Sequence, residues 1–355
     1  MIRAEDYLKG RGAQYNPANP YLKQNYVAEH TEGLDEPMLT NSKTEFLLEH
    51  PKKVVNRIES PDLGIGYSLN PYQGCEHGCV YCYARNTHTY WGYGAGLDFE
   101  RKIIVKENAP ETLARQLESK NWQVMPIMLA GNTDCYQPIE AKKKLTRQIL
   151  EVLLQYRHPV SIITKNALIL RDLDLLQALN QLDLVHVNIS ITTLAEEVRQ
   201  KLEPRTASAS KRLEVVQELS KAGIPVNVMV APIIPGLNDS EIPAILKAAA
   251  EAGASNAAYT IVRLNGSVGP IFEDWIRQAF PDRAEKVLKL VADCHGGQLH
   301  DSRFGTRMHG EGKFAELIAR LFKVSKQKYM SGRSLKPYNY SHFCTRAGKQ
   351  LGLFP

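Results

Sequence analysis

The 355-residue sequence has no run of 18 consecutive apolar residues, so no segment of it predicts a transmembrane helix. Its first residues, MIRAEDYLKGRGAQYNP, are polar and lack the apolar stretch of a secretory signal peptide. Cysteine is scarce: the chain has 6, and three of them are bunched, which is not the pattern of a disulfide framework. We therefore expect a cytoplasmic protein, with no membrane contact, whose bunched cysteines bind metal.

Acidic residues are absent from Leu317 to Pro355, although the chain contains 38 of them. The same segment holds eight basic residues, so with +6 overall the rest of the chain carries −2 (+6 minus +8). Interspersed with these charges are the aromatic residues Tyr329, Tyr338, Tyr340 and Phe343. Because basic groups bind phosphates and aromatic rings stack on bases, this basic tail (residues 317–355) predicts a contact with DNA. A solvated basic face without a partner is the alternative.

Short apolar runs alternate with helical patterns from about residue 65 onward. Runs typical of strands lie at 66–72, 124–130, 159–164, 184–190, 225–231 and 256–263. Helical patterns lie between them, at 109–119, 143–156, 170–180, 210–223 and 240–253. The fourth helix is predicted to begin at Ser210 as N-cap and to close at Gly223. Six strands separated by helices predict an α/β fold, an open (partial) TIM-like (β/α)6 barrel with its chemistry at the carboxyl ends of the strands.

The segments on either side of the barrel have a different composition. Residues 1–60 are rich in Asn, Pro, Gly and charge without sustained periodicity, which predicts an irregular N-terminal extension. The barrel is expected over 61–295 and a basic C-terminal extension over 296–355.

The chain ends in QLGLFP. Gln350–Phe354 resembles the short peptide through which bacterial repair proteins and polymerases bind the replication sliding clamp. In that interpretation Leu353 and Phe354 fill an apolar pocket and Gln350 makes a polar anchor. The alternative is that Leu353 and Phe354 pack back on the domain.

Three cysteines, Cys75, Cys79 and Cys82, follow the first predicted strand with the spacing C-x3-C-x2-C. A structural zinc site with His77 or His88 as fourth ligand is one interpretation, although zinc sites favour paired C-x2-C halves and no second half follows. A cubane iron–sulfur cluster normally takes four cysteines, so three cysteines leave one iron open to another ligand.

C-x3-C-x2-C with an aromatic residue before its last cysteine resembles the signature of the radical S-adenosylmethionine (SAM) enzymes. Most of the chain resembles the subfamily related to spore photoproduct lyase, a radical repair enzyme for ultraviolet-damaged DNA. The wider resemblance is carried by GRGAQYNP (10–17), NPYQGCEHGCVYCYAR (70–85), GLDFERKI (96–103), NTDCYQPIE (132–140), TKN (164–166), RDLDLL (171–176), SITTL (190–194), LEPRTAS (202–208) and APIIPGLND (231–239).

The resemblance implies an enzyme with a [4Fe-4S] cluster held by Cys75, Cys79 and Cys82. It implies that SAM binds the open iron through its amino and carboxylate groups. One electron from a flavodoxin- or ferredoxin-type donor would then split SAM and release a 5′-deoxyadenosyl radical, which takes hydrogen from the substrate.

The resemblance also implies SAM contacts at the strand ends: Tyr81 and Ala231 for the adenine, Lys165 and Arg205 for the carboxylate, and Ser190 and Thr192 for the ribose. Each has an ordinary structural alternative. These alternatives are a core tyrosine, a generic loop, a solvated lysine, an ion pair of the arginine, and helix capping by the two hydroxyls.

Cys135, after the second predicted strand, is the implied hydrogen-atom donor, because the lyase uses a cysteine from this loop to return hydrogen to its product radical. Here Cys135 follows the Asp of the motif, whereas the lyase's cysteine precedes its Asp; a buried free cysteine is the alternative. Tyr83 is implied as a member of the same hydrogen-transfer relay.

The leading hypothesis is thus a lyase-like radical SAM enzyme acting in DNA repair, whose target base has to leave the stack to reach a buried radical. A radical enzyme that modifies RNA, a peptide or a small molecule is the first alternative. A non-catalytic, metal-bearing DNA-binding adaptor is the second.

Overall fold

The computed structural model describes residues 8–22, 43–62, 64 and 66–345. Its strands are β1 (Glu45–Glu49), β2 (Val55–Arg57), β3 (Tyr67–Leu69), β4 (Tyr72–Gln73), β5 (Lys102–Lys106), β6 (Ile127–Leu129), β7 (Val160–Thr164), β8 (Val185–Ser190), β9 (Val226–Ile233) and β10 (Asn256–Ile261). Its α-helices are α1 (Leu97–Arg101), α2 (Ala109–Leu117), α3 (Glu140–Lys143), α4 (Leu145–Gln155), α5 (Leu173–Asn180), α6 (Glu196–Leu202), α7 (Ala209–Lys221), α8 (Ile242–Glu251), α9 (Val268–Ala279), α10 (Ala284–Asp293) and α11 (Gly312–Met330). Shorter 3₁₀ helices lie at Tyr83–Trp91, Ala167–Asp172 and Asp239–Glu241.

Seven strands form the main sheet in the order β10-β9-β8-β7-β6-β3-β2. The six strands β3 and β6 to β10 are all parallel to one another and coincide with the six predicted strands. Strand β2 adds an antiparallel edge beside β3. Within the described residues β10 and β2 are the two outer strands, so the sheet is open, and the predicted partial TIM-like barrel is confirmed.

The strands form because their β-branched residues are covered on both faces. Val160 and Ile162 of β7 are fully buried, and they lie in one core with Ile149 and Leu153 of α4. The spacing of four between these α4 residues gives that helix an apolar stripe toward the sheet. Parallel strands need such helical cover, which places every strand's carboxyl end at one edge of the sheet.

The N-terminal segment is less irregular than predicted. Strand β1 pairs in parallel with β5, which pairs antiparallel with β4, so β1 belongs to a second sheet of three strands. Strand β2 extends the main sheet. These strands have five and three residues, too few to show an alternating pattern in the sequence. The domain boundaries at residues 60 and 295 stay predictions.

The predicted N-cap of the fourth predicted helix is wrong by two residues. Helix α7 begins after Ser208, whose hydroxyl accepts a 3.2 Å hydrogen bond from the backbone N–H of Lys211. An N-cap must precede the first turn, and Ser210 already lies within it. The predicted close at Gly223 is confirmed, with a left-handed φ of +77°.

The described part of the basic tail packs against the amino ends of the strands. Helix α11 lies against α8 and buries Ile318 and Phe322 in the main core. Beyond it, the Tyr338 hydroxyl donates to the carbonyl of Val160, the first residue of β7. This segment is therefore at the end of the sheet opposite the carboxyl ends. Of the helices in the described ranges, none combines the length and apolarity needed to cross a membrane.

Two charges of the tail already have structural partners. The ammonium group of Lys326 donates to the Ala257 carbonyl at 2.8 Å. The Arg333 guanidinium donates to the Ala250 and Ala254 carbonyls, both at 2.9 Å. These two side chains join the tail to the end of α8 and the start of β10.

Candidate iron–sulfur and cofactor site

The three cysteines lie in a loop (residues 74–82, the cluster loop) between β4 and the first 3₁₀ helix. Cys75 and Cys79 are each 6% exposed and Cys82 is half-buried, and all three are free thiols. Burial raises the pKa of the Cys75 thiol, and the nearby Cys79 and Cys82 raise it further, since three thiolates repel one another. The loop turns at Gly78, with φ +70°, where a Cβ atom would approach Glu100 Oε2 to 3.0 Å.

The donor set fits a cluster better than a single ion. In the ranges that the structure describes, no three His, Cys, Asp or Glu side chains are placed to hold one metal ion. A structural zinc ion needs its ligands around one point, whereas the thiolates of a cubane bind different irons. Of the two candidate zinc ligands, His77 is engaged elsewhere, with Nδ1 3.4 Å from Asp134 and Nε2 3.3 Å from Asn166. The other, His88, is buried against the rings of Tyr93 and Phe99. Cys75, Cys79 and Cys82 would thus hold three irons of the predicted cluster.

A buried ion pair braces the cluster loop from outside. Arg85 and Glu100 are both 0% exposed and are joined at 2.6 Å. Arg85 also donates to the carbonyl of Cys79 at 3.0 Å. The Glu100 carboxylate accepts the backbone N–H groups of Gly12 at 3.1 Å and Ala13 at 2.8 Å. Two of the sequence motifs, GRGAQYNP and GLDFERKI, therefore meet behind the loop and fix the backbone that carries Cys79.

The loop after β6 supports the cluster loop from a second side. The Gln137 side chain donates to the Gly74 carbonyl at 3.2 Å and accepts the N–H of Glu76 at 3.0 Å. Asp134 accepts the Thr164 hydroxyl and the Lys165 N–H, both at 2.8 Å. Burial opposes ionisation of Asp134, but His77 and the backbone N–H groups of Lys165 and Tyr136 outweigh it and hold the pKa of Asp134 at about 2.

Glu203 is the centre of a buried network at the strand ends. Its carboxylate accepts hydrogen bonds from the Tyr81 hydroxyl and, at 2.6 Å, from the Thr192 hydroxyl. Arg212 pairs with it at 2.5 Å. Burial opposes ionisation, but Arg212 and Lys165 outweigh it and hold the Glu203 pKa at about 2. An ionised carboxylate thus positions both Tyr81 and Thr192.

Lys165 lies beside Tyr81 with its ammonium nitrogen 5.9 Å from the ring centre. Burial lowers the pKa of Lys165, but Cys79 and Glu203 raise it, and the net shift is upward, so the group is charged. Among the described residues its ammonium group has no hydrogen-bond partner. A half-buried, charged and unbonded donor suits the carboxylate contact predicted for it.

The remaining predicted SAM residues lie at the same edge. Ser190 ends β8 and is buried, and its carbonyl accepts Arg212 at 2.9 Å. The carbonyl of Ala231, in β9, accepts the Thr192 hydroxyl at 3.2 Å, and the Ala231–Pro232 peptide is cis. Arg205 is exposed and its backbone N–H bonds the carbonyl of His77 in the cluster loop. The roles of these residues toward SAM stay predictions.

Cys135 lies in the loop after β6. It is fully buried, and its surroundings include Tyr72, Tyr136 and Glu140. Burial raises the pKa of its thiol well above the usual value. The predicted hydrogen-donor role of Cys135 stays a prediction. Tyr83, by contrast, is at the edge of the site, with a ring that is 48% exposed and a hydroxyl that donates to the Gly131 carbonyl.

Substituting Cys135 by alanine is expected to leave 5′-deoxyadenosine release within about twofold of wild type, because the thiol is enclosed in the core. It is expected to lower the free energy of unfolding by about 1–2 kcal/mol through the small cavity created. Product analysis with Cys135→Ala, with Tyr83→Phe for comparison, checks this. If Cys135→Ala failed to return a hydrogen atom to the product radical while Tyr83→Phe still did so, this expectation would be contradicted.

Sequence reasoning missed the side chains that hold the site together, namely Asp134, Arg85, Glu100, Glu203 and Arg212. Four of these lie inside the quoted motifs or next to a cluster cysteine, so the motifs contained the signal. The pairing of Glu203 with Tyr81 spans 122 positions and could not be identified from local spacing.

Comparisons with known proteins agree with this geometry. The model of the Radical SAM superfamily matches residues 69–249. An uncharacterized protein of Mycobacterium tuberculosis is 33% identical over 67% of this chain and 71% of its own length. An uncharacterized protein of Methanocaldococcus jannaschii is 31% identical over 71% of this chain and 90% of its own. A Radical SAM Nalpha-GlyT isomerase of Pseudomonas phage M6 is 25% identical over 64% of this chain and 46% of its own.

Solved structures share the fold at low sequence identity. Spore photoproduct lyase complexed with dinucleoside spore photoproduct superposes with a TM-score of 0.59 at 17% identity, over 82% of each chain. A mutant of that lyase with bound AdoMet and the same dinucleoside gives 0.58 at 16% identity, again over 82% of each chain. The C-x3-C-x2-C loop at the carboxyl edge of six parallel strands and the match of the family model lead to one conclusion: the chain belongs to the radical SAM superfamily of enzymes, whose members bind a [4Fe-4S] cluster and SAM.

Proposed function

We propose that this radical SAM enzyme acts on DNA and repairs a damaged base. The bound cluster and SAM supply the radical chemistry that removes a hydrogen atom from the substrate. The protein positions the reactants through Lys165, Tyr81 and Thr192, and it keeps the cluster loop out of water.

The observation that carries the proposal is a row of exposed aromatic rings next to the cluster loop. In the 3₁₀ helix that follows Cys82, Tyr83 is 48%, Tyr90 72% and Trp91 41% exposed. Tyr21 lies against Tyr90 with 4.9 Å between ring centres. Exposed rings are costly in water and suit the stacking of an unpaired base.

The relatives support a nucleoside-containing substrate. The structurally similar lyase binds a dinucleoside spore photoproduct. The described tail is far from the aromatic row, so we expect the row to receive the target base. Further DNA contact through the basic tail (residues 317–355) stays a prediction. A flavodoxin- or ferredoxin-type electron donor is also a prediction. The same holds for a sliding-clamp contact of Gln350–Phe354, a segment that lies outside the described residues.

A second candidate reaction is an isomerisation, in which the hydrogen first removed is returned to the substrate. The positions of the three cysteines outside the cluster loop favour this reaction. Cys135 and Cys294 are buried in the core. Cys344 lies by Tyr156 at the far end of the sheet. An isomerisation needs no thiol donor at the aromatic row, which is consistent with these positions. The phage relative is named as a radical SAM isomerase.

The test is 5′-deoxyadenosine release by anaerobically reconstituted protein with dithionite, with and without ultraviolet-irradiated thymine-rich DNA. Release is expected to rise at least tenfold with irradiated DNA and to vanish in Cys82→Ala, because that variant lacks one iron ligand. Release that ignores DNA would redirect the search to RNA, peptides or small molecules. No release at full iron content would favour the adaptor. Deuterium from D₂O in the product would argue against the isomerisation.

A further inference from the structure

Arg263 is held in a fixed position at the carboxyl edge of the barrel. It lies two residues beyond β10, between Val262 and Leu264, which are both buried. The backbone N–H of Val262 bonds the Ile233 carbonyl at 2.9 Å, and that of Leu264 bonds the Leu299 carbonyl at 3.0 Å. Because alternate side chains of an extended segment point to opposite faces, the Arg263 side chain points away from the core that holds its neighbours.

The guanidinium group of Arg263 has no partner in the part of the chain that the structure describes. Two carboxylates act on it electrostatically, Asp62 and Asp301. Asp62 is already bonded to Arg307 at 2.5 Å, and Asp301 to Arg303 at 2.9 Å. Arg263 is thus a half-buried cation whose nearby acids are taken by other arginines.

This arrangement is electrostatically unfavourable without a ligand. Burial lowers the pKa of Arg263, and the neighbouring Arg307 lowers it further. Both effects disfavour the charged form, and both would be offset by an anion bound between the two arginines. Guanidinium groups bind phosphate through paired, charge-assisted hydrogen bonds.

Tyr83 provides a flat surface next to this cation. The 3₁₀ helix that begins at Tyr83 is joined to the segment just after Arg263: the Asn86 side chain donates to the Asn265 carbonyl at 2.8 Å and accepts the N–H of Ser267 at 2.9 Å. Tyr83 is also among the groups that act electrostatically on Arg263, although the two residues come from opposite ends of the barrel sequence. A phosphate and an adjacent planar base are the two groups that a nucleotide would present to such a pair.

We propose, building on the DNA-directed function above, that Arg263 anchors a phosphate of the nucleotide that reaches the cluster site, with the ring of Tyr83 contacting the attached base. The substrate class is a phosphodiester-linked nucleotide. Arg263 is a binding residue, so its removal is expected to lower the affinity of the protein for the nucleotide.

The experiment measures the affinity of the reconstituted protein for a fluorescein-labelled thymine pentanucleotide by anisotropy across a range of salt concentrations. Arg263→Gln is compared with Arg277→Gln, which removes an exposed arginine of α9 that is paired with Glu273 at 3.2 Å. Arg263→Gln is expected to raise Kd about tenfold at low salt and to reduce the slope of log K against log salt by about 1. Arg277→Gln is expected to change neither the Kd nor the salt slope by a comparable amount.

Neutral methylphosphonates at single positions of the strand identify the contact. One such replacement is expected to weaken wild type about tenfold and to leave Arg263→Gln unaffected. Equal binding by wild type and Arg263→Gln would overturn the anchor while leaving the DNA function standing. Binding of thymidine 5′-monophosphate through Arg263, with no binding of the strand, would support the anchor and overturn the DNA function. Binding of neither ligand by wild type would overturn both.

Discussion

Glu100→Ala is expected to destabilise the protein by about 3–5 kcal/mol, because it leaves the buried Arg85 guanidinium without its charge partner. The same change removes the acceptor for the N–H groups of Gly12 and Ala13. Since Arg85 also holds the Cys79 carbonyl, iron and sulfide content after anaerobic reconstitution should fall well below that of wild type. Chemical denaturation and iron analysis measure the two effects.

The chain offers a matched control in an exposed ion pair. Glu214 pairs with Lys211 at 2.7 Å, and both side chains are 49% exposed. Glu214→Ala should change stability by no more than about 1 kcal/mol. A double variant, Arg85→Met with Glu100→Leu, should recover part of the loss in Glu100→Ala because it removes the unpaired charge. Equal stability of Glu100→Ala and Glu214→Ala would show that the pair does not brace the loop.

Glu203→Gln is expected to cost about 3 kcal/mol, because Arg212 is left buried beside a neutral amide. It is also expected to weaken SAM binding about tenfold, since the carboxylate that orients Tyr81 and Thr192 is lost. Calorimetric titration of reconstituted protein with SAM measures the affinity. Glu218→Gln, which removes an exposed partner of Lys221, is the control. Unchanged SAM affinity in Glu203→Gln would contradict the positioning role.

The pH dependence of stability gives a second readout for Glu203. Its native pKa of about 2 lies below the value of 4.5 for an unperturbed glutamate. The stabilisation it provides is therefore present above about pH 4.5 and lost as the pH falls toward 2. The stability difference between wild type and Glu203→Gln should narrow over that acid range. A constant difference from pH 7 to pH 3 would assign the effect to packing instead.

Local patterns in the sequence determined the framework of this protein. The six strands follow from short β-branched runs between helical repeats, and the cysteine spacing predicted which residues would bind metal. Both are set by neighbours along the chain, and parallel strands necessarily present their carboxyl ends at one edge. The position of the cluster loop, the open barrel and the family were therefore predictable. The short strands β1 and β2 were not, because pairing with distant strands defines them.

Only the tertiary structure decided what holds and surrounds the cluster. Glu100 joins Gly12 across 88 positions, and Glu203 joins Tyr81 across 122. Cys135 is fully buried in the core, whereas Asp134, its neighbour in the chain, accepts hydrogen bonds from Thr164 and Lys165 at the strand ends. The basic tail looked free in the sequence, yet its described part packs across the amino ends of the strands. The sequence thus determined which residues could react, and long-range burial and charge pairing decided which of them face the site.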